Sequence, residues 1–323
     1  MKNIAVFTSG GDAPGMNACI RAVVRAGISY GFGVYGIIRG YQGMIENDIV
    51  PLQASSVGNI IQNGGTMLKT ARSKDFLTAE GRKRAFENLK QQGIEGLVCI
   101  GGEGTYTGAM VFEKEFGIPS IGCPGTIDND IVGTDFTIGF DTAVNTAMEA
   151  IDKIRDTADA HNRVFFVEVM GRHSGYIALY CGIAGGAEAI LIPERQNEWD
   201  GLVANFALKS RKKEFSIFIV SEGDEEGNAF EVAKRFQQVY PNSDTRVAVL
   251  GHIQRGGSPT AADRVLASRL GAHAVKALFE GKRNLAVGIV GSDVAFTPFA
   301  EAIKATKKDI PQNLWDLNIM IGK

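Results

Sequence analysis

The segment Pro124–Asp130 carries the residue types of a proton-transfer or metal-binding site. Asp128 and Asp130 lie two positions apart, and the hydroxyl of Thr126 precedes them behind a Pro-Gly turn. An unpaired polar group costs free energy when it is buried, so a purely structural segment has little use for this polarity. One carboxylate could accept a proton from an attacking hydroxyl while the other helps to hold a phosphate-bound metal. A plain Asx turn is the alternative, because Asp and Asn favour turns by themselves.

Two glycine-rich turns could bind anions. Gly10–Gly11 follows the apolar run Ile4–Thr8 and precedes a helical pattern, and Gly101–Thr105 repeats this arrangement after Leu97–Ile100. Backbone N–H groups at such a turn, together with the dipole of the following helix, attract phosphate. Each turn could instead serve only close helix packing, but two of them suggest a long polyphosphate ligand. Neither has the spacing of a G-x-G-x-x-G or a Walker A loop.

Short apolar strands alternate with helical patterns along the chain, which is typical of parallel sheets covered by helices. The expected strands are Ile4–Thr8, Leu97–Ile100, Ser120–Gly122, Val164–Met170, Ala189–Ile192, Ser216–Val220, Val247–Leu250 and Val287–Val290. The expected helices are Asn17–Arg25, a helix that follows Gly104 and ends near Glu115, Thr142–Asp159, Gly175–Ile183, Trp199–Ser210, Ala229–Val239 and Ala261–Glu280. Ligands of such sheets bind at the carboxyl ends of the strands. The polar clusters fall at those ends, at Ser9–Asn17, Gly101–Thr105, Pro124–Asp130, Gly171–Gly175, Ser221–Asp224 and Gly251–Ser258.

The composition is that of an ordinary globular chain with no charge bias. The 323 residues are 45% hydrophobic and 22% charged, with a formal net charge of −2, so no electrostatic footprint for nucleic acid or an anionic membrane is present. No apolar run approaches the roughly 18 residues of a membrane span, and the N-terminal apolar part is too short for a signal peptide. The four cysteines lack metal-ligand spacing and are expected to be reduced core side chains of a cytoplasmic protein.

The motifs Gly10–Asn17, Pro124–Asp130, Met170–His173 and His252–Gly257 resemble, in this order, those of the bacterial-type ATP-dependent 6-phosphofructokinases. The resemblance covers nearly the whole chain. It implies two Rossmann-like, three-layer α/β lobes with largely parallel sheets and the active site in the cleft between them. The implied nucleotide-binding domain comprises residues 1–138 and about 256–305, and the sugar-phosphate-binding domain comprises residues 139–255 and about 306–323.

The resemblance also implies the reaction, which is transfer of the ATP γ-phosphate to the 1-hydroxyl of fructose 6-phosphate, giving fructose 1,6-bisphosphate and ADP. Asp128 would be the general base, and Thr126 would hydrogen-bond the acceptor or the transferring group. Asp130 would orient the loop or help with the metal. Arg72 and Arg172 would neutralise the charge that develops on the phosphoryl oxygens.

Three binding sets follow from the resemblance. The nucleotide would contact Gly11, Arg72, Ser73, Gly102, Glu103, Gly104 and Thr105. The sugar phosphate would contact Thr126, Ile127, Asp128, Arg163, Met170, Gly171, Arg172, Glu222, Arg246, His252 and Arg255. Because Arg163 and Arg246 would come from a neighbouring subunit, a homotetramer is implied. An effector pocket for ADP or phosphoenolpyruvate would use Arg21, Arg25, Arg155, Glu188, Arg211 and Lys213. By themselves, Arg21 and Arg25 also fit a solvated helix face.

The chain departs from the family pattern at Glu103, where Asp is usual and helps to position Mg²⁺. Mg²⁺ demands near-ideal octahedral geometry, and one extra methylene moves a carboxylate by roughly 1.5 Å. If this shift impairs Mg²⁺ positioning, the chain would be a catalytically weak or regulatory homologue rather than a fully active enzyme. Ala54, Ser55 and Phe215 also depart from the usual effector-site residues, so regulation could be weakened or use another ligand.

The phosphoryl donor is indicated by two glycines. Gly104 and Gly125 stand where pyrophosphate-using relatives typically have Asp and Lys, which favours ATP over a pyrophosphate-dependent enzyme. A kinase of the same fold for another sugar phosphate is a further alternative, and the basic residues Arg246, His252 and Arg255 favour a phosphorylated acceptor in either case. A nicotinamide dehydrogenase lacks support, because no Rossmann glycine fingerprint follows a strand.

Overall fold

The computed structural model describes residues 1–195, 198–209, 215–224, 226–303 and 309–322. The chain forms two compact units. The first unit comprises Met1–Ile127, Ile131–Thr142 and Arg255–Lys307, and the second comprises Asp128–Asp130, Ala143–Gln254 and Lys308–Lys323. The nucleotide and sugar-phosphate roles expected for the two domains remain predictions.

The first unit is built on a seven-stranded sheet. Its strands are β1 (Asn3–Thr8), β2 (Gly33–Ile37), β3 (Ile49–Leu52), β4 (Ile94–Gly101), β5 (Ser120–Pro124), β10 (Leu285–Val290) and β11 (Asp293–Pro298). Their order across the sheet is β11-β10-β5-β4-β1-β2-β3. The five inner strands are parallel, and the edge strands β3 and β11 pair antiparallel with their neighbours. The central strands are apolar runs because helices cover both faces of such a sheet.

Helices of the first unit follow the strands. They are α1 (Met16–Ser29), α2 (Gly40–Glu46), α3 (Ala79–Gln91), α4 (Glu103–Phe116), α9 (Ala261–Phe279) and α10 (Phe299–Ala302). One hydrophobic core includes Phe7, Tyr41, Tyr106 and Phe112, which are all buried. The ring of Tyr41 stacks on Phe76 at 4.0 Å between centroids, so α2 is held tightly against this core.

The second unit has a four-stranded, fully parallel sheet in the order β7-β8-β6-β9. Its strands are β6 (Val164–Val169), β7 (Ala189–Leu191), β8 (Ser216–Ser221) and β9 (Thr245–Val249). Its helices are α6 (Tyr176–Gly185), α7 (Glu198–Lys209), α8 (Ala229–Val239) and α11 (Gln312–Ile321). The helix α5 (Phe140–His161) begins in the first unit and continues in the second. A core of aromatic rings around Phe166, Phe218 and Phe236 packs under α8.

The α/β class and the largely parallel sheets predicted from the sequence are confirmed, and every strand expected there is present. The sequence patterns did not predict β2, β3 and β11, nor the helices α2, α3, α10 and α11. All four cysteines are buried and free, and burial raises the pKa of the Cys99 and Cys181 thiols to about 12. No helix among the described residues is both long and apolar enough to cross a lipid bilayer.

Candidate active site

The first glycine turn connects β1 to α1 and presents backbone donors. Gly10 has φ +88°, a conformation that glycine adopts without strain. The carbonyl oxygens of Ser9 and Gly10 accept hydrogen bonds from the hydroxyls of Thr105 (3.1 Å) and Thr70 (2.8 Å). The N–H groups of Gly10, Gly11 and Asp12 bind no residue within the described part of the chain. The turn therefore leaves backbone donors available to an anion, although α1 begins only at Met16.

The second glycine turn lies beside the first. β1 and β4 are neighbouring parallel strands, and the N–H of Ser9 donates to the carbonyl of Ile100 at 3.0 Å. α4 begins at Glu103, and its N-cap Gly102 offers no side-chain cap. The N–H groups of Glu103 and Gly104 are therefore left for water or a ligand, whereas the N–H of Thr105 donates to the carbonyl of Gly102 at 3.0 Å. The Tyr41 hydroxyl donates to the carbonyl of Thr105 at 2.6 Å and so anchors the start of α4 to the core.

Glu103 and Gly104 face open space at the start of α4. Glu103 is exposed, and a Cβ added at Gly104 would meet no atom within 4 Å. The sequence predicted a carboxylate here for the metal of a nucleotide, and its position on the first turn of α4 allows that. Within the ranges that the structure describes, no group of three or more His, Cys, Asp and Glu side chains is arranged to hold a metal ion.

The predicted nucleotide residues Arg72 and Ser73 lie in the segment before α3. The Ser73 hydroxyl donates to the side chain of Gln42 at 2.7 Å and accepts from the N–H of Phe76 at 3.2 Å, so this serine is fixed to α2. Arg72 is exposed and forms no hydrogen bond or ion pair to a described residue. Its guanidinium is therefore available to a ligand.

The loop after β5 carries the two carboxylates. The N–H of Gly125 donates to the carbonyl of Gly101 at 3.1 Å, which places this loop next to the second glycine turn. The Thr137 hydroxyl donates to the carbonyl of Thr126 at 2.6 Å, and this hydrogen bond fixes the backbone of the loop. Burial alternates along the loop, because Ile127, Asn129 and Ile131 are buried whereas Thr126, Asp128 and Asp130 are half-buried. The threonine and both aspartates are thus the accessible residues of this segment, as their proposed roles require.

The start of α5 is held by a carboxylate that the sequence reasoning missed. Asp263 on α9 is buried and accepts hydrogen bonds from the N–H of Gly139 (2.8 Å), the N–H of Thr142 (2.8 Å) and the Thr142 hydroxyl (2.5 Å). Burial raises the pKa of Asp263 despite these bonds. No local pattern could reveal this role, because Asp263 is more than 120 residues from its partners.

In the second unit, the carboxyl ends of β6, β8 and β9 form another polar surface. Met170 donates its N–H to the side-chain oxygen of Gln254 at 2.8 Å. Gly171, with φ +130°, accepts from the Ser221 hydroxyl at 2.6 Å through its carbonyl. A Cβ added at Gly223 would lie 1.8 Å from the carbonyl oxygen of Arg172, so only glycine fits there. The predicted sugar residues Met170, Gly171, Arg172 and Glu222 are therefore brought together, and Arg172, Glu222 and His252 are exposed.

Arg163 and Arg246 lie at the opposite, amino-terminal end of the same sheet. Their guanidinium groups converge on Asp244, with Arg163 Nε 2.8 Å from Oδ2 and Arg246 Nη1 2.5 Å from Oδ1. The hydrogen bond from Arg163 holds the pKa of Asp244 below its usual value, and the charge of Arg246 adds to this effect. β6 has six residues and therefore spans about 20 Å. The structure thus brings the two arginines together but does not bring them to Met170 within one chain.

Arg255 is the one predicted sugar-phosphate arginine that belongs to the first unit. It ends the short 3₁₀ helix Gly251–Arg255. Its Nη1 donates to the carbonyl of Asp12 at 3.3 Å. The guanidinium therefore lies against the first glycine turn.

The predicted effector residues are spread over both units. Arg21 and Arg25 lie on α1, and Arg25 is exposed. Arg155 donates to the carbonyl of Gly185, and its guanidinium carbon lies 5.8 Å from the ring centroid of Phe215. Glu188 is buried and accepts from the N–H of Ile217 at 2.6 Å. Arg211 and Lys213 lie outside the described residues.

Comparisons with known proteins identify the family to which this fold and these turns belong. A protein-family model described as phosphofructokinase matches residues 3–278. An ATP-dependent 6-phosphofructokinase of Cytophaga hutchinsonii is 56% identical over 320 residues, which are 98% of this chain and 97% of that protein. ATP-dependent 6-phosphofructokinase 1 of Thermus thermophilus is 56% identical over 323 residues, with 100% of both chains covered.

The solved structures include a similar chain from a eukaryote. The phosphofructokinase of Saccharomyces cerevisiae is 37% identical with a TM-score of 0.90, and the match covers 100% of this chain but only 48% of the yeast chain. The family model and the full-length bacterial relatives lead to the same assignment. Two glycine turns, a Thr-Ile-Asp loop and an arginine-bearing Met-Gly turn stand on an α/β scaffold shared with these proteins, and this chain belongs to the phosphofructokinase family.

Proposed function

We propose that this chain is an ATP-dependent 6-phosphofructokinase, which transfers the γ-phosphate of MgATP to the 1-hydroxyl of fructose 6-phosphate and releases ADP and fructose 1,6-bisphosphate. The proposal depends above all on the hydrogen bonds that join the ends of β1, β4 and β5. They run from Ser9 to Ile100 and from Gly125 to Gly101, and so bring two anion-binding turns next to the Thr126 loop. The full-length bacterial relatives that bear this enzyme's name support it.

Transfer is direct, and no covalent enzyme intermediate forms. Asp128 accepts the proton of the sugar 1-hydroxyl as its oxygen attacks the γ-phosphorus. Thr126 hydrogen-bonds the reacting oxygens, and Asp130 orients the loop. Arg72 and Arg172 offset the charge on the phosphoryl oxygens, and the exposure of both guanidinium groups supports this role.

Mg²⁺ enters with the nucleotide as part of the substrate. Bound there, it neutralises charge on the β- and γ-phosphates. Mg²⁺ keeps several waters and is usually held by one or two carboxylates together with substrate phosphates. Glu103 fits the role of such a carboxylate, because it is exposed on the first turn of α4 beside the backbone donors of the glycine turn.

The space around two glycines supports ATP rather than pyrophosphate as the donor. The open space at Gly104 leaves room for the part of ATP beyond the transferred phosphate. Gly125 is enclosed instead, since a Cβ there would lie 3.0 Å from the side chains of Ile100 and Met16. A lysine at position 125 would require these neighbours to move, so this chain is unsuited to the side chain that is typical of pyrophosphate-dependent relatives.

The separation of Arg163 and Arg246 from Met170 supports sites shared between copies of the chain. The two ends of one six-residue strand cannot contact the same phosphate. A neighbouring subunit could place Arg163 and Arg246 at the carboxyl end of this sheet, beside Met170. We therefore propose a homotetramer with shared sites.

A cytoplasmic location and an ADP or phosphoenolpyruvate effector are also part of the proposal. The contacts of Arg155 with Phe215 and Gly185 mean that an effector would compete for this guanidinium.

A coupled assay tests the proposed function directly. The purified protein is given fructose 6-phosphate and Mg²⁺ with either ATP or pyrophosphate, and formation of fructose 1,6-bisphosphate is followed through aldolase. We expect turnover with ATP and none above background with pyrophosphate. Turnover with pyrophosphate alone would contradict the donor assignment. If neither donor supports turnover although MgATP and fructose 6-phosphate each bind, the chain is a binding or regulatory homologue.

A further inference from the structure

The guanidinium of Arg255 occupies space that only a glycine at position 11 leaves open. A Cβ added at Gly11 would lie 2.6 Å from Nη1 and 3.2 Å from Cζ of Arg255. Contacts below 3.0 Å do not occur for real Cβ atoms, so the arginine lies directly against the backbone of this turn. The hydrogen bond from Nη1 to the carbonyl of Asp12, at 3.3 Å, holds it there.

The hydrogen bonds of the turn leave its donors available. Its carbonyl oxygens at Ser9, Gly10 and Asp12 accept from Thr105, Thr70 and Arg255. Its N–H groups at Gly10, Gly11 and Asp12 have no partner among the residues that the structure describes. The carbonyl oxygens of the turn are thus occupied, whereas its three N–H groups are available to a ligand. The guanidinium of Arg255 adds a full positive charge beside these N–H groups.

Arg255 also has unused hydrogen-bonding capacity. A guanidinium has five N–H donors in a planar fork that matches phosphate oxygens. One donor is used on Asp12, and Arg255 forms no ion pair with any carboxylate in the described ranges. Its charge is thus not neutralised by a described acidic side chain.

We propose that Arg255 binds the nucleotide phosphates at the first glycine turn, in addition to any contact with the sugar phosphate. The inference rests on the proposed function, because it needs a nucleotide at this turn. Arg255 supplies the positive charge that backbone amides can provide only partially, and Gly11 provides the space for it. Nucleotide affinity in the absence of sugar phosphate therefore depends on Arg255.

Direct binding of MgADP, measured by titration calorimetry without any sugar phosphate, tests the proposal. We expect Arg255→Ala to weaken MgADP binding by about tenfold or more, as is typical for loss of a charge-assisted hydrogen bond. Arg255→Lys keeps the charge but not the fork, so it should retain part of the affinity. Arg235→Ala, which removes an exposed arginine on α8 that has no role in the proposed sites, should bind MgADP like the parent.

Each outcome of this titration is decisive. If Arg255→Ala binds MgADP as tightly as the parent, the inference is wrong. If it binds more tightly, Arg255 obstructs the turn, and the inference is wrong as well. If the parent itself does not bind MgADP, the nucleotide site of the proposed function fails, which is a distinct result. Circular dichroism of each variant separates these outcomes from misfolding.

A double-mutant cycle with Gly11 tests the contact itself. In Gly11→Ala the added methyl group displaces the guanidinium, so removal of Arg255 in that background should change MgADP affinity by less than about twofold. Independent, additive losses in the two single variants and the double variant would show that Arg255 acts without this contact, and would overturn the proposed geometry.

Discussion

Gln254 holds the backbone of Met170 through a buried hydrogen bond, in which the Met170 N–H donates to the Gln254 side-chain oxygen at 2.8 Å. Gln254 is fully buried, and its amide nitrogen has no partner among the described residues. Met170 and Gly171 follow directly at the end of β6, where the sugar is proposed to bind. Gln254 therefore positions the Met170–Gly171 turn.

Gln254→Met should raise KM for fructose 6-phosphate by roughly tenfold, because a buried N–H at Met170 loses its acceptor and the turn relaxes. KM for ATP should change little. Gln254→Glu keeps an acceptor of the same reach and should lie between parent and Gln254→Met. Steady-state kinetics with each substrate varied in turn measures this. A lowered melting temperature with unchanged KM for fructose 6-phosphate would assign Gln254 a structural role only.

Asp128→Asn should lower kcat by about 10²–10⁴-fold, because an amide cannot accept the proton of the sugar hydroxyl. KM for ATP should stay within about threefold of the parent, because the substitution removes no contact that binds ATP in the ground state. Asp152→Asn, which changes an exposed carboxylate on α5, is the matched control and should leave kcat unaltered. Near-parental turnover in Asp128→Asn would remove this residue as the base.

Glu103→Asp should be at least as active as the parent, because the shorter carboxylate restores the residue that is usual at the start of α4. We expect the Mg²⁺ concentration for half-maximal rate to fall or stay constant. Glu103→Gln removes the charge and should raise that concentration. Initial rates over a Mg²⁺ titration distinguish the three proteins. A markedly slower Glu103→Asp variant would contradict the metal role proposed for this side chain.

Asp263 should make the stability of the first unit depend on pH in the acid range. Burial raises its pKa in the folded state above the ordinary value of 3.8, so the folded protein binds this proton more tightly than the unfolded chain. The contribution of Asp263 to the unfolding free energy is then largest below pH 3.8 and falls as the pH rises through the folded-state pKa.

Asp263→Asn cannot titrate, and its amide NH₂ replaces one of the two carboxylate oxygens that accept from the N–H groups of Gly139 and Thr142. It should be less stable than the parent at every pH, by about 1–3 kcal/mol near neutrality. The difference between the two proteins should shrink as the pH rises from about 4 towards 7. Urea unfolding at several pH values measures it, and a difference that widens with pH would mean that hydrogen bonding lowers this pKa.

Subunit mixing should show whether Arg163 of one chain and Asp128 of another serve the same site. Arg163→Ala and Asp128→Asn should each be strongly impaired alone. Tetramers refolded from both variants would contain some sites with both native residues, and should recover activity above either variant refolded by itself. If native mass spectrometry shows mixed oligomers that have no recovered activity, both residues act within a single chain.

Local sequence patterns determined much of this protein. The apolar runs before Gly10, Gly101 and Pro124 predicted β1, β4 and β5, because strands buried on both faces are apolar throughout. They also predicted that the polar turns after them would share one edge of a sheet. The short edge strands β3 and β11 were missed. β3 is half exposed and contains Pro51, which fits only an edge strand and resembles a turn in the sequence.

Only the tertiary structure decided which distant side chains meet. The pairing of Gln254 with Met170, of Asp263 with the start of α5, and of Arg255 with Gly11 joins residues that are 84 to 244 positions apart. Sequence spacing reports neighbours on the same helix or strand, whereas these contacts depend on strand order and register. For that reason the sequence could propose residues for the candidate site, but strand order and register determined which of them lie together.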